Sequence, residues 1–153
     1  MMTIASDVIS RLAGKTLVTA ESLTGGGIGA ALTAVPGASQ VFKGGIISYT
    51  NAVKQAMLHV PEEDLEAYGA VSAPVADAMA RGARQILQAD VAVSVTGLAG
   101  PGGDDFGHCV GTVFIGYADA CKSSVQECHF TGNRDSIREQ TIQAALEMLM
   151  ANI

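Results

Sequence analysis

Ser22 stands where a short apolar run, residues 16–19, gives way to Glu21-Ser22-Leu23-Thr24-Gly25-Gly26-Gly27. A serine between a strand and a glycine-rich helix start has outward-pointing N–H groups and the positive end of a helix dipole beside it. Such groups can hold a phosphate or a developing oxyanion, which makes Thr24, Gly25 and Gly26 candidate binding residues. The same residue types also cap helices, and spacing alone leaves the two uses about even. They are compatible, since Thr24 can cap while Ser22 reacts. A serine hydroxyl becomes a nucleophile only when a base takes its proton. His59 follows an amphipathic helical pattern, His108 lies in a loop and His129 in an alternating edge-type strand, so no histidine follows a strand end near Ser22. Lys54 sits one turn into a helix that follows a strand, and it can act as base if burial or nearby positive charge lowers its pKa. An arbitrary lysine there is more often a solvated surface residue.

Other candidates cluster at similar places. Tyr49 ends the run 44–49, and Thr96 and Gly97 end the run 91–96. The segment from Gly97 to Gly103 can form an anion-binding nest or an ordinary turn. Arg134 and Arg138, four residues apart on one face of the last helix, can bind a phosphate or pair with Asp135 and Glu139 at the surface.

These side chains need a scaffold, and the periodicity supplies one. Helical spacing covers residues 3–13, a strand 16–19, and a helix runs from the glycines to about residue 35. A strand at 44–49 is followed by a helix at 52–58, for which Asn51 is the cap. A short helical turn opens at Pro61 and ends near Gly69. Ser72 caps a helix at 73–88 with Pro74 in its first turn. Strands follow at 91–96, 110–117 and 124–130, then a helix from Asn133 or Asp135 to 150. Strands interleaved with helices predict an α/β fold, a three-layer α/β/α sandwich. The short link between the last two strands predicts a hairpin and hence a mixed central sheet. In open α/β sheets ligands sit beyond the carboxyl ends of strands, which gathers Ser22, Tyr49 and Thr96 at one crevice if their strands are neighbours.

Composition narrows the function. The 153 residues fit a single domain, 1–153, with 48% hydrophobic residues, enough for a sizeable core. The net charge of −6 and nine scattered basic residues argue against a nucleic-acid binder. Cys109, Cys121 and Cys128 are odd in number and lack a CxxC spacing, which reads as free thiols in a reducing compartment rather than a disulfide frame or a zinc site. The N-terminal segment is amphipathic rather than signal-like, and no run of about 18 apolar residues exists. The expectation is a cytoplasmic protein with no membrane or nucleic-acid partner. Apolar strand and helix surface suits a homo-oligomer.

The motifs together resemble the CinA C-terminal domain family. Thr19-Ala20-Glu21-Ser22-Leu23-Thr24-Gly25-Gly26 resembles its TAES-x-TGG signature, and Val35-Pro36-Gly37-Ala38-Ser39 its VPGSS stretch. Ser48 to Lys54, Gly69 to Ser72, Val95 to Pro101, Val110 to Val113 and Gly132 to Arg138 complete the set in family order. The resemblance implies an amidohydrolase that converts nicotinamide mononucleotide to nicotinic acid mononucleotide and ammonia, in pyridine-nucleotide recycling, without metal or other cofactor. It implies Ser22 as nucleophile, Lys54 as its base, and Tyr49 and Thr96 as supporting residues. Donors near residues 25–27 or Thr96 would hold the oxyanion. An arginine of the 132–138 segment would contact substrate, with Arg138 favoured over Arg134. Departures exist: Leu23 replaces a usual Cys, Asn133 a common Asp, and residues 104–109 a stretch usually richer in Lys and Pro. Two carboxylates there would repel a phosphate, which keeps open a catalytically weak nucleotide-binding module of the same fold. A third expectation is an interaction domain without a ligand. Longer family members carry a separate N-terminal domain, whose chemistry is not expected here.

Overall fold

Alternate residues of the first strand, β1 (Leu17–Glu21), belong to two different cores. Leu17 packs on one face of the sheet with Leu12, Ile28 and Leu149, while Val18 and Ala20 pack on the other with Leu58, Val75 and Met79. The computed structural model describes residues 2–153. In it, α1 (Ile4–Arg11), α2 (Gly27–Thr33) and α6 (Arg134–Asn152) cover the first face, and α3 (Asn51–Leu58), α4 (Glu62–Tyr68) and α5 (Ala73–Ile86) the second. Five strands lie between them: β1, β2 (Phe42–Ile47), β3 (Val91–Gly97), β4 (Thr112–Ala118) and β5 (Ser123–His129), in the order β2-β1-β3-β4-β5. β1 is parallel to both β2 and β3, whereas β3–β4 and β4–β5 pair antiparallel. This is the mixed three-layer α/β/α arrangement expected from the sequence.

Element edges differ from the periodicity in ways that matter for the site. The first strand extends to Glu21, and the second lies at Phe42–Ile47 rather than 44–49. Their pairing ends with Glu21 opposite Ile47, and the Ser48 N–H makes a last bond of 2.7 Å to the Glu21 carbonyl. Ser48 and Tyr49 therefore leave the sheet and turn toward α3. The N-cap of α3 is Thr50, whose hydroxyl accepts the Val53 N–H, and Asn51 is the first helical residue. The strand expected at 110–117 starts later, because Gly111 (φ 93°) makes a turn that donates to the Leu98 carbonyl and accepts from the Phe130 N–H. Ser72 and Asn133 cap α5 and α6. A 3-10 turn, Ala38–Gln40, follows α2, where the sequence showed only the Pro36-Gly37 break.

The end of α3 is held close to α5 by a missing side chain. A Cβ on Gly82 would overlap the Leu58 carbonyl oxygen, an immovable backbone atom. Gly82 thus lets α5 press against the helix that carries Lys54. Gly82→Ala should lower stability by about 1–3 kcal/mol in urea unfolding, despite the better helix propensity of alanine. Gly102 has nothing within 4 Å of its Cβ direction. Gly102→Ala should stay within about 0.5 kcal/mol of wild type, and equal losses at both positions would contradict the packing argument.

Candidate active site

The carboxyl ends of β1, β2 and β3 lie side by side because β1 runs between the other two and parallel to both. The chain leaves β1 toward α2 on one face and leaves β2 toward α3 on the other. That reversal opens a crevice between the strand ends. Its volume is about 640 Å³, and Ser22, Tyr49, Lys54, Thr96, Gly97 and Arg134 line it with the loop that follows β3. This volume falls in the usual range for small-molecule sites.

Strand alternation decides which side chains reach it. Ala20 faces the α3–α5 core, so Ser22, two residues on, falls on that side. Ser94 donates to the Ala76 carbonyl of α5, and Thr96 follows it on the same face, donating to the Ala70 carbonyl at 2.8 Å. Glu21 has the opposite parity and turns under α2.

Lys54 is 1% exposed, and its Nζ lies 3.1 Å from the Ser22 Oγ. The amine also donates to the Ser48 carbonyl at 2.7 Å and the Tyr49 carbonyl at 3.4 Å. Burial lowers its pKa from 10.5 to about 8. About a fifth of the amine is then neutral near pH 7.4, against about a thousandth for an ordinary lysine. A neutral amine has two N–H groups and one lone pair. The two carbonyls can take the N–H groups, leaving the lone pair for the Ser22 O–H.

Arg134 spans the crevice. It donates through Nη1 to the Gly100 carbonyl at 2.7 Å and through Nη2 to the Tyr49 hydroxyl at 3.1 Å. Arg138, which the sequence favours, is one turn further along α6 and outside the crevice. Its Nε and Nη2 donate instead to the Leu23 and Thr24 carbonyls, at 2.9 and 3.2 Å, and brace the turn behind Ser22.

The glycine-rich helix start also behaves differently from expectation. Thr24 does not cap α2, and Gly26 occupies the cap position with φ 101° and no side-chain bond. The Thr24 hydroxyl donates to Glu21 at 2.6 Å, and the Ile28 and Gly29 N–H groups donate to the same carboxylate at 2.9 and 3.0 Å. Thr24, Gly25 and Gly26 lie outside the crevice lining, and the helix donors are already occupied. Thr96 has likewise committed its hydroxyl proton to Ala70, so it offers lone pairs rather than a donor.

Asp104, Asp105 and Phe106 line the crevice and were seen in the sequence only as a divergent loop. The Asp104 carboxylate folds back on that loop. It meets the His108 ring at 2.7 Å and accepts the Phe106 and His108 N–H groups. Burial raises its pKa, but the bonds from His108 and Phe106 outweigh burial and hold the group below the usual carboxylate range. Asn51 also lines the crevice, a position its reading as a cap concealed. None of the three histidines lines it: His59 ends α3, His108 holds Asp104 and His129 meets Glu127.

The lysine geometry makes a testable statement about stability. The folded pKa of Lys54, about 8, is below its unfolded value of 10.5. Below about pH 8 both states are protonated and the burial penalty is constant. Between about 8 and 10.5 the unfolded chain keeps a proton that the folded chain has released, so stability rises with pH. Relative to Lys54→Met, wild-type unfolding free energy should climb by about 3 kcal/mol across that window in urea titrations. A flat difference would mean the amine keeps an ordinary pKa.

The CinA C-terminal domain model matches residues 2–153. A CinA-like protein of Parasynechococcus marenigrum is 49% identical over 150 residues, covering 95% of this chain and 36% of the relative. The chain spans about a third of the length of the curated relatives it matches. Among solved structures, the competence/damage inducible protein CihA of Agrobacterium tumefaciens superposes with a TM-score of 0.93 at 40% identity, covering 97% of this chain and 92% of that one. A CinA superfamily protein of Escherichia coli gives a TM-score of 0.94 at 32% identity, covering 99% and 91%. With the whole described fold and the ordered motifs accounted for, this chain belongs to the CinA C-terminal domain family.

Proposed function

We propose that the chain is a Ser/Lys amidohydrolase acting on the carboxamide of nicotinamide mononucleotide. The observation that carries this reading is the buried Lys54 amine, 3.1 Å from the Ser22 hydroxyl, with its pKa lowered to about 8. Ser22 attacks the carboxamide carbon while Lys54 accepts the hydroxyl proton. Lys54 then passes that proton to the departing nitrogen, and ammonia leaves. Water, deprotonated by Lys54, opens the resulting ester to give the acid and restore Ser22. The N–H groups of Ser22 and Leu23 have no acceptor among the described residues, and they replace residues 25–27 as candidate oxyanion donors. Arg134, at the crevice, takes the phosphate-binding role that the sequence leaned toward giving Arg138. Tyr49 orients that guanidinium.

One observation favours a second reading. Asp104 and Asp105 line the same crevice and oppose an anion, as in a nucleotide-binding module that turns over little substrate. Calorimetry that shows saturable mononucleotide binding, with no ammonia released, would select it.

The amidase reading predicts ammonia release from nicotinamide mononucleotide by the purified chain. Ser22→Ala and Lys54→Met should each lower kcat by about a thousandfold or more. Lys54→Arg should do the same although charge is kept, because guanidinium cannot act as the base. Wild-type kcat/KM should rise about tenfold per pH unit below roughly pH 8 and level off above it, since the free base is the active form. Unchanged turnover by Ser22→Ala would remove the nucleophile assignment. Arg134→Ala should raise KM by about tenfold or more with a smaller effect on kcat. A KM effect at Arg138→Ala with none at Arg134→Ala would return the phosphate role to Arg138.

A further inference from the structure

Glu21 adjoins the nucleophile in sequence yet has no place in the chemistry above. It is 2% exposed and lies on the face of β1 opposite Lys54. Both carboxylate oxygens are fully engaged. Oε1 accepts the Thr24 hydroxyl at 2.6 Å and the Ile28 N–H at 2.9 Å, and Oε2 accepts the Thr19 hydroxyl at 3.3 Å and the Gly29 N–H at 3.0 Å. Ile28 and Gly29 are in the first turn of α2, whose Gly26 cap has no side chain to satisfy them. Between strand and helix lies the turn that presents Ser22, closed by the Gly25 N–H on the Ser22 carbonyl at 3.1 Å.

We propose that Glu21 is a positioning residue: its carboxylate ties β1, Thr24 and the start of α2 together and so holds the Ser22 hydroxyl in bonding distance of Lys54. This rests on the Ser/Lys reading of the crevice. A buried carboxylate beside a reactive pair would disturb it if it faced that pair. Here strand parity turns it away, and it acts only through the backbone that carries Ser22.

The four-donor cradle is specific for a carboxylate. Each oxygen takes one hydroxyl and one backbone N–H. A glutamine amide puts an NH₂ where one oxygen stood, so in either orientation the N–H of Ile28 or of Gly29 meets another donor. The threonine hydroxyls can reverse, but a backbone N–H cannot. Aspartate is one methylene short of the same contacts. A small displacement of a reacting atom can cost about a hundredfold in rate.

The test compares Glu21→Gln, Thr24→Val and Thr24→Ser with wild type. Two readouts are used: ammonia release from nicotinamide mononucleotide, and labelling of Ser22 by a fluorophosphonate followed by mass spectrometry. In labelling, the Ser22 Oγ–P bond forms, the P–F bond breaks, fluoride leaves and the hydroxyl proton passes to Lys54. Glu21→Gln should lower kcat and labelling rate by about 10- to 100-fold, with KM within about threefold, because Glu21 is outside the crevice. Thr24→Val should shift both rates the same way by less, and Thr24→Ser should restore them. All rates are divided by the folded fraction from circular dichroism. A loss that disappears on that correction reduces Glu21 to a structural role and overturns the proposal, as does a folded Glu21→Gln with wild-type rates. Should Glu21→Gln not fold, the Thr24 pair decides: wild-type labelling by folded Thr24→Val overturns it. Wild-type labelling of Ser22 without ammonia release would sink the amidase reading while leaving the positioning role standing. Failure of wild type to label at Ser22 would overturn both.

Discussion

Lys54 and Ser22 are 32 residues apart in the chain, and their contact depends on the register in which β1 pairs with β2. Glu21 opposite Ile47 brings the Ser48 N–H onto the Glu21 carbonyl, and the chain turns there into α3. Shifting β1 by one residue would exchange the faces of Ser22 and Glu21. A carboxylate would then meet the buried amine, and the hydroxyl would lie under α2. The apolar residues forbid this slip, since Leu17 fits between α1, α2 and α6 while Val18 and Ala20 fit against α3 and α5. The core residues of the strand therefore aim the polar residues at its end.

This dependence explains why so much of the crevice can be read from the chain. Ser22, Tyr49 and Thr96 each follow an apolar run, and a parallel sheet gathers such ends at one edge. Lys54 could be nominated because it follows the same edge by one helical turn. What a period cannot convey is which polar group a backbone donor will choose. Thr24 and the glycines have the composition of an anion-binding helix start, but Glu21, three to eight residues away, occupies those donors from the strand. Likewise Arg134 and Arg138 share a helix face. One turn of rise separates a guanidinium across the crevice from one behind the Ser22 turn, and that distinction needs the path of the 97–103 loop. Strand edges shifted for a related reason: pairing ends where the neighbouring strand ends, which local alternation does not record.

The charges around the crevice are distributed so that few act directly on the amine. Arg134 is held by a carbonyl and a phenol at the rim. Asp104 is turned into its own loop by His108 and two N–H groups. Glu21 is confined beneath α2. The hydrogen-bond partners of Lys54 are therefore neutral oxygens, and burial alone accounts for its lowered proton affinity.

An amine whose pKa is lowered by burial behaves differently from one tuned by a neighbouring cation. The influence of a solvent-exposed cation is largely screened by salt beyond about 8–10 Å, whereas exclusion of water is not. It also needs no second charged residue whose own desolvation must be offset. The requirement moves to the packing around α3. Leu58 and the backbone at Gly82 hold that helix against α5, and the Ser48 and Tyr49 carbonyls give the amine the acceptors that a buried polar group needs. Loosening α3 would readmit water, return the amine toward its ordinary protonation and remove its lone pair from Ser22. In the Ser/Lys mechanism proposed above, the packing of a helix end more than one turn from Lys54 Nζ is in this way part of the acid–base chemistry.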